Sequence, residues 1–349
     1  MLTYPFPIQL VGAGGIVRDA HLPAYRLAGF PVAGVFDLDA AKAAQLAADF
    51  GLPHPFPSLA AAVQAAEPGM VFDVAVPATA IEPVLRELPD GAAVLIQKPF
   101  GADLGQARAL LHLCREKRLR AAVNFQLRFA PAIVAARRLI AAGTIGEVHD
   151  LEVRVTVHMP WHLWSFLANS PRLEILYHSI HYVDLIRSFL GEPRGVHAKT
   201  VRHPATPHLA ATRTTMALDY GDLLRATITT NHAHDYGPRH QESYVKWEGT
   251  RGVIRAQLGV LLNYPQGGRD ALELCLKEPG QPAGEWREIP VDGTWFPHAF
   301  IGTMDSLQRY AAGATTELPT RVDDAFRTMA VVEAAYASSA SGATPIPSS

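Results

Sequence analysis

Ile8-Gln9-Leu10-Val11-Gly12-Ala13-Gly14-Gly15-Ile16-Val17-Arg18-Asp19-Ala20, followed by Pro31-Val32-Ala33-Gly34-Val35-Phe36-Asp37, is the stretch on which the fold turns. The first four residues form a short apolar run of the kind that makes a buried strand. Gly12, Gly14 and Gly15 then interrupt it, and Ile16 opens a helix-like segment. Glycine permits a sharp turn and a close approach of backbone to a pyrophosphate, while a helix N-terminus offers unpaired N–H groups to its oxygens. A second apolar run ends at Asp37, where a carboxylate is placed to accept hydrogen bonds from a ribose diol. Ordinary strand-to-helix turns also use glycine, but here strand, turn, helix and acid occur in the order a dinucleotide requires. Val17 stands where G-x-G-x-x-G has its third glycine, a position that governs helix–strand packing more than phosphate contact. Asp37 and the nearby Asp39 would repel a 2′-phosphate, so NAD is expected over NADP.

Strand-like and helix-like runs alternate up to about residue 123. Val71–Val76, Ala93–Ile96 and Arg120–Asn124 read as further strands. Ala40–Phe50 reads as a helix stopped by Gly51, and Asp103 with Gln106 forms a capping box for the next helix. Such alternation predicts a parallel sheet covered by helices on both faces. After about residue 147 the pattern changes to period two: Leu151, Val153, Val155 and Val157 alternate with Glu152, Arg154 and Thr156. Similar runs recur to residue 277, so a second, larger antiparallel sheet with one uncovered face is expected. The boundaries read are 1–123 for the first domain and 124–349 for the second, with a closing helix at 321–340 that is able to pack back on the first.

Composition narrows the classes. The chain has 349 residues, 48% hydrophobic and 18% charged, enough for two domains with real cores and unlike a disordered chain. A formal net charge of −2 gives no general attraction to nucleic acid or anionic membranes. No apolar run approaches the ~20 residues of a membrane span, and the first residues lack a secretory signal pattern. A cytoplasmic location is the expectation. Cys114 and Cys275, the two cysteines, read as core residues rather than a disulfide.

Four segments carry candidate chemistry. Lys98, in Gln97-Lys98-Pro99, follows a parallel strand at the edge where such sheets bind ligands, and a cis Lys98–Pro99 bond would aim it inward. Pro77, after the preceding strand, and Pro99 join Gly12, Gly14, Gly15, Ile16, Asp37 and Lys98 as cofactor-side candidates. The segment Leu173–Leu185 puts Tyr177 and His181 four residues apart on one helix face, flanked by His178; histidine suits proton exchange near neutral pH. Asn124 and Arg128 are candidates for substrate contact, Arg128 equally for an interdomain ion pair. Trp161 and Trp164 offer flat apolar faces that suit sugars, or else pack in the core; His178 is a further substrate candidate. Fifteen histidines invite a metal reading, but His232, His234 and His240 match no compact ligand spacing, and no metal is expected.

Together these segments resemble the Gfo/Idh/MocA oxidoreductase family over nearly the whole chain. Val11–Ile16 with His21-Leu22-Pro23 is similar to the family opening, Gln97-Lys98-Pro99 to its Glu-Lys-Pro motif, and Asn124–Pro131 to its Asn-x-Arg segment with Arg128 displaced by one. Gly249-Thr250-Arg251-Gly252 and the stretch from Arg321 to Ser338 are similar to later family features. The resemblance implies an α/β Rossmann domain, an α+β domain with a mainly antiparallel open-faced sheet, and hydride transfer between NAD and a sugar or polyol. It implies His181 as general base, Lys98 as the group stabilising charge on the reacting oxygen, and Tyr177 as an orienting or relaying group. Tyr177 stands where the family has Asp, and Gln97 where it has Glu. A small neutral sugar or polyol substrate and a homodimer or homotetramer are expected. Two rival functions are a cofactor-binding sensor without catalysis and an NAD-dependent glycoside-cleaving enzyme.

Overall fold

The computed structural model describes residues 5–161, 165–278 and 280–347. The chain forms two compact units. One comprises residues 1–130 and 296–329, the other 131–295 and 330–349.

In the first unit, β1 (Ile8–Val11), β2 (Val32–Phe36), β3 (Val71–Val74), β4 (Ala93–Ile96) and β5 (Arg120–Val123) form a five-stranded sheet in the order β2-β1-β3-β4-β5. All four pairings are parallel. β1, β3 and β4 are buried along their whole length, as continuous apolar runs in a doubly covered sheet should be. The strand order reverses beside β1, and the C-terminal ends of the strands at such a switch point are where open α/β sheets bind ligands. Helices Leu22–Ala28, Ala40–Phe50, Ile81–Glu87 and Leu104–Glu116 connect the strands. Asp103 accepts the N–H of Gln106 at 2.8 Å, as its cap position requires, and Gln106 reaches back to the N–H of Ala102 at 2.7 Å, one residue before the expected partner. Gly51 ends its helix in the left-handed region at φ 65°. The helix His298–Ala311, distant in sequence, also belongs to this unit, where it packs against β4 and β5 and its Phe300, Met304 and Leu307 join the core.

The second unit holds an eight-stranded sheet. Its strands are β6 (Val148–Thr156), β7 (Gly195–Val201), β8 (Arg213–Asp219), β9 (Arg225–Asn231), β10 (Glu242–Gly249), β11 (Gly252–Gln257), β12 (Ala271–Leu276) and β13 (Arg287–Glu288). Their order is β13-β12-β11-β10-β6-β9-β8-β7. β6 and β9 run parallel; the other pairings are antiparallel. Burial alternates along β8 to β11, so each strand gives one face to the core. The helix Ile180–Leu190 brings Phe189 against Trp247 of β10, with ring centroids 5.0 Å apart. The opposite face is polar and carries the ion pairs Arg154–Glu242, Lys246–Glu152 and Arg255–Glu273. Cys114 and Cys275 are buried free thiols. Among the described residues no helix is long and apolar enough to cross a membrane.

Asp103→Ala should lower unfolding stability by about 1 kcal/mol, the usual worth of an N-cap oxygen; urea denaturation checks this, and an unchanged midpoint would show that the cap contributes nothing.

Candidate functional site

The strand ends of the first unit gather most of the cofactor-side candidates on one edge of the sheet. Gly12 ends β1 at φ 109°, a backbone conformation that strains any L side chain. A Cβ there would also stand 2.3 Å from the Ala75 carbonyl oxygen. Gly14 and Gly15 are exposed, and an added Cβ at Gly14 would meet no atom within 4 Å. The protein's own packing therefore makes no demand for glycine at position 14; the bare backbone leaves room for a ligand to approach. The chain enters its helix at Gly15, passes through a π-helical stretch Val17–His21, and continues as the α-helix from Leu22.

Asp37, at the end of β2, clamps this loop. Its Oδ2 accepts the Ala13 N–H at 2.7 Å and its Oδ1 accepts the Asp39 N–H at 2.8 Å. A carboxylate has about four acceptor positions, so two remain on this half-exposed side chain. Pro77 is exposed just beyond β3. Loop, acid and strand end together fit the adenosine and pyrophosphate portion of a dinucleotide.

Lys98 follows β4, and its bond to Pro99 is cis. The side chain is half-buried. Loss of hydration pulls its ammonium pKa down to about 8.

Beneath Lys98 lies a buried polar hub centred on His21. Its Nδ1 is 2.6 Å from Asp73 Oδ2, which also accepts the Tyr25 hydroxyl at 2.7 Å. Its Nε2 lies 3.3 Å from Gln97 Nε2 and 3.2 Å from Asn124 Nδ2. Gln97 Oε1 accepts the Lys98 N–H at 2.8 Å, which orients the amide so that its NH2 faces the imidazole. Asn124 Oδ1 accepts the Thr303 hydroxyl at 2.8 Å, which turns its NH2 the same way. The network thus fixes His21 Nε2 as an acceptor and Nδ1–H as the donor to Asp73. A glutamate at position 97 has no N–H to give; glutamine here matches this tautomer.

One expected substrate contact is corrected by this geometry. Asn124 has 0% exposure and uses its amide on His21 and Thr303, so it braces the end of β5 and does not reach a ligand. Arg128 donates to the Pro319 carbonyl at 2.9 Å and pairs with the Asp324 carboxylate. These two partners belong to its own unit.

The second unit holds the remaining candidates. Glu174–Ser179 is π-helical and runs into the α-helix Ile180–Leu190, so Tyr177 and His181 are not successive turns of one regular α-helix. Tyr177 packs beside Leu167, Leu173 and Leu209. Burial raises its pKa, against a hydrogen bond with Ser170 that lowers it. His181 is buried, its ring edge-on to Trp295 with centroids 6.2 Å apart. Trp161 is half-buried against the same leucines, at 5.3 Å from the His178 ring and 6.5 Å from that of His232; it is not a freely exposed platform. Trp164 lies outside the described residues. Sequence reasoning passed over Glu174, which is buried and flanked by both histidines. Burial alone would raise its pKa, but His232 and His178 outweigh that and hold it well below the usual carboxylate range.

Fold and strand-end chemistry define a dinucleotide-binding oxidoreductase. Residues 6–125 match the model of the oxidoreductase family with an NAD-binding Rossmann fold, and residues 133–255 match the GFO/IDH/MocA C-terminal domain. The chain belongs to the Gfo/Idh/MocA oxidoreductase family. It is 25% identical to D-apiose dehydrogenase of Paraburkholderia graminis over 97% of this chain and 89% of that protein. It is 28% identical to 1,5-anhydro-D-fructose reductase of Ensifer adhaerens over 52% of this chain and 56% of that protein. Among solved structures, an oxidoreductase from Agrobacterium radiobacter in complex with NAD+, L-tartaric acid and magnesium superposes with a TM-score of 0.76 at 21% identity, covering 96% of each chain. UDP-N-acetylglucosamine 3-dehydrogenase from Acidithiobacillus ferrooxidans gives a TM-score of 0.74 at 20% identity, covering 95% of this chain and 97% of that one.

Gln97→Glu would set a carboxylate oxygen against the lone pair of His21 Nε2. It should cost about 1–3 kcal/mol of stability at pH 8. Thermal melts of both proteins at pH 8 check this; equal melting temperatures would contradict the assigned tautomer.

Proposed function

We propose that this protein transfers a hydride between NAD and a hydroxyl or carbonyl carbon of a small neutral sugar or polyol, with NAD preferred over NADP. The observation that carries the reading is the shared edge of the first sheet. There the open loop Gly12–Gly15 is bonded to Asp37, and a lysine of lowered pKa follows a strand two places away. The sugar dehydrogenase at 25% identity over 97% of this chain supports the substrate class.

The N–H groups of the loop and helix start, with Gly14, Gly15 and Ile16, would hold the pyrophosphate. Asp37 would take the ribose diol, and Pro77, Lys98 and Pro99 would line the neighbouring strand ends. NAD, when bound, supplies the hydride-accepting nicotinamide. Lys98 as an ammonium donates a hydrogen bond to the reacting oxygen and stabilises negative charge there. His181 is assigned the hydroxyl proton. Tyr177 orients the substrate, and His178 and Trp161 bind it. A homodimer or homotetramer belongs to the same proposal, and light scattering tests it.

Lys98 gives the pH dependence its sign. Turnover should fall as pH rises through about 8, because the group that donates is then lost. In the unfolded chain a lysine keeps its proton to roughly pH 10.4. Between those values the unfolded state binds more protons, so stability should rise with pH over the same window. Lys98→Met should remove the alkaline limb and reduce turnover at least ~100-fold while NAD still binds, and His181→Ala should reduce it by a similar factor. A screen of sugars and polyols with NAD, followed at the reduced-nicotinamide absorbance, checks the reading. Product release without net reduction would support glycoside cleavage instead, and no response with any substrate would support a sensor.

Asp37→Ala should weaken NAD binding and narrow the gap to NADP, as calorimetry would measure. Tighter NADP than NAD binding in the unaltered protein would overturn the cofactor preference.

A further inference from the structure

We infer that Glu174, His178 and His232 form a binding site for one divalent transition-metal ion in the second unit. One ligand atom from each of the three residues lies within 4.8 Å of the others. The fold, not the local sequence, makes the cluster. Glu174 begins the π-helical stretch, where i→i+5 bonding brings residues four and five positions on over the first. His178 Nδ1 lies 3.6 Å from Glu174 Oε2, and the Ser179 hydroxyl donates to Glu174 Oε1 at 2.8 Å. His232 follows β9, and its Nδ1 stands 2.6 Å from the same Oε2.

A charge pair between Glu174 and His232 is the competing explanation, and three observations weigh against it as the whole account. Glu174 Oε2 and both ring nitrogens of His232 are buried, and the 2.6 Å approach does not have hydrogen-bond geometry; none of these atoms has a hydrogen-bond partner among the described residues. The two imidazoles are stacked, 4.2 Å between centroids and 19° between planes. If both were protonated, two cations would lie face to face on one carboxylate. A single divalent ion satisfies a carboxylate and two neutral imidazole lone pairs together. Ser179 meanwhile holds the second carboxylate oxygen, as outer-shell partners of metal ligands do.

Two imidazoles and one carboxylate suit Zn2+ or a neighbouring first-row ion and disfavour Mg2+ and Ca2+, which take oxygen ligands. Metal–ligand bonds of about 2.0–2.1 Å in a tetrahedron set ligand atoms about 3.3 Å apart. Loading therefore opens the Glu174–His232 contact by less than about 1 Å, on the same geometry. Three protein ligands leave a position for water or a hydroxyl oxygen. That position lies on the His178 side, because the His178 side chain is 16% exposed while Glu174 is 0%. The inference does not depend on the proposed reaction.

The test is calorimetric titration of the chelator-stripped full chain with Zn2+, and separately with Mg2+, beside a Co2+ titration read by its visible absorption. One Zn2+ per chain, an intensified Co2+ band of low-symmetry nitrogen–oxygen coordination, and at least ~100-fold weaker Mg2+ binding are expected. Glu174→Gln and His178→Ala, checked for fold by circular dichroism and for NAD binding, should each weaken Zn2+ at least ~10-fold. His178 is the safer position because it is partly exposed. Absence of saturable one-to-one Zn2+ binding, or equal binding by folded variants, would overturn the inference.

Discussion

The first unit depends on a single buried imidazole. His21 comes from the helix that follows the glycine loop, yet it is bonded to a side chain on or just beyond each of three strands: Asp73 in β3, Gln97 after β4 and Asn124 after β5. Thr303, 179 residues beyond Asn124, completes the set. A buried network whose donors and acceptors are matched favours a single arrangement; here Asp73 Oδ1 is left without a hydrogen-bond partner among the described residues. Here the donor and acceptor assignments form a chain: the Lys98 N–H orients Gln97, Gln97 and Asn124 define the acceptor nitrogen of His21, and Asp73 accepts the hydrogen bond from its Nδ1–H. The backbone that presents Lys98 is thereby tied to the helix that opens beside Gly14.

This arrangement separates residues that touch a ligand from residues that hold them. Gly14 and Gly15 are open, and Asp37 keeps spare acceptor capacity on the same edge. Asn124, polar and near the same strand ends, has its amide engaged on His21 and Thr303 inside the unit. Burial decides between the two roles: a buried amide must satisfy its own hydrogen bonds before it has any to offer.

Local pattern made much of the fold readable. Apolar runs ending in glycine or acid gave the parallel strands, and period-two alternation gave the second sheet. Asp103 and Gly51 marked helix ends because capping is a local interaction. What stayed hidden is non-local or depends on unusual helix geometry. Nothing near His21 says that Asp73 lies against it, and nothing in 298–311 says that Phe300 packs there at 5.1 Å. The π-helical stretch at 174–179 moved Tyr177 off the regular α-helical face it was expected to share with His181. It also set Glu174 beside His178, while His232 arrives from β9. The i,i+4 spacing of Glu174 and His178 was the one available signal, and without His232 that pair is an ordinary helix-surface motif. β13, two exposed residues long, carries too little pattern to be seen.

The most direct measurement is NMR of the His21 ring nitrogens in the unaltered protein, assigned by comparison with His21→Gln. A proton on Nδ1, with Nε2 unprotonated and hydrogen-bonded, is the predicted result near neutral pH. A proton on Nε2, or on both nitrogens, would mean that Gln97 and Asn124 do not donate to this ring, and the basis for how the strand ends are held would fail.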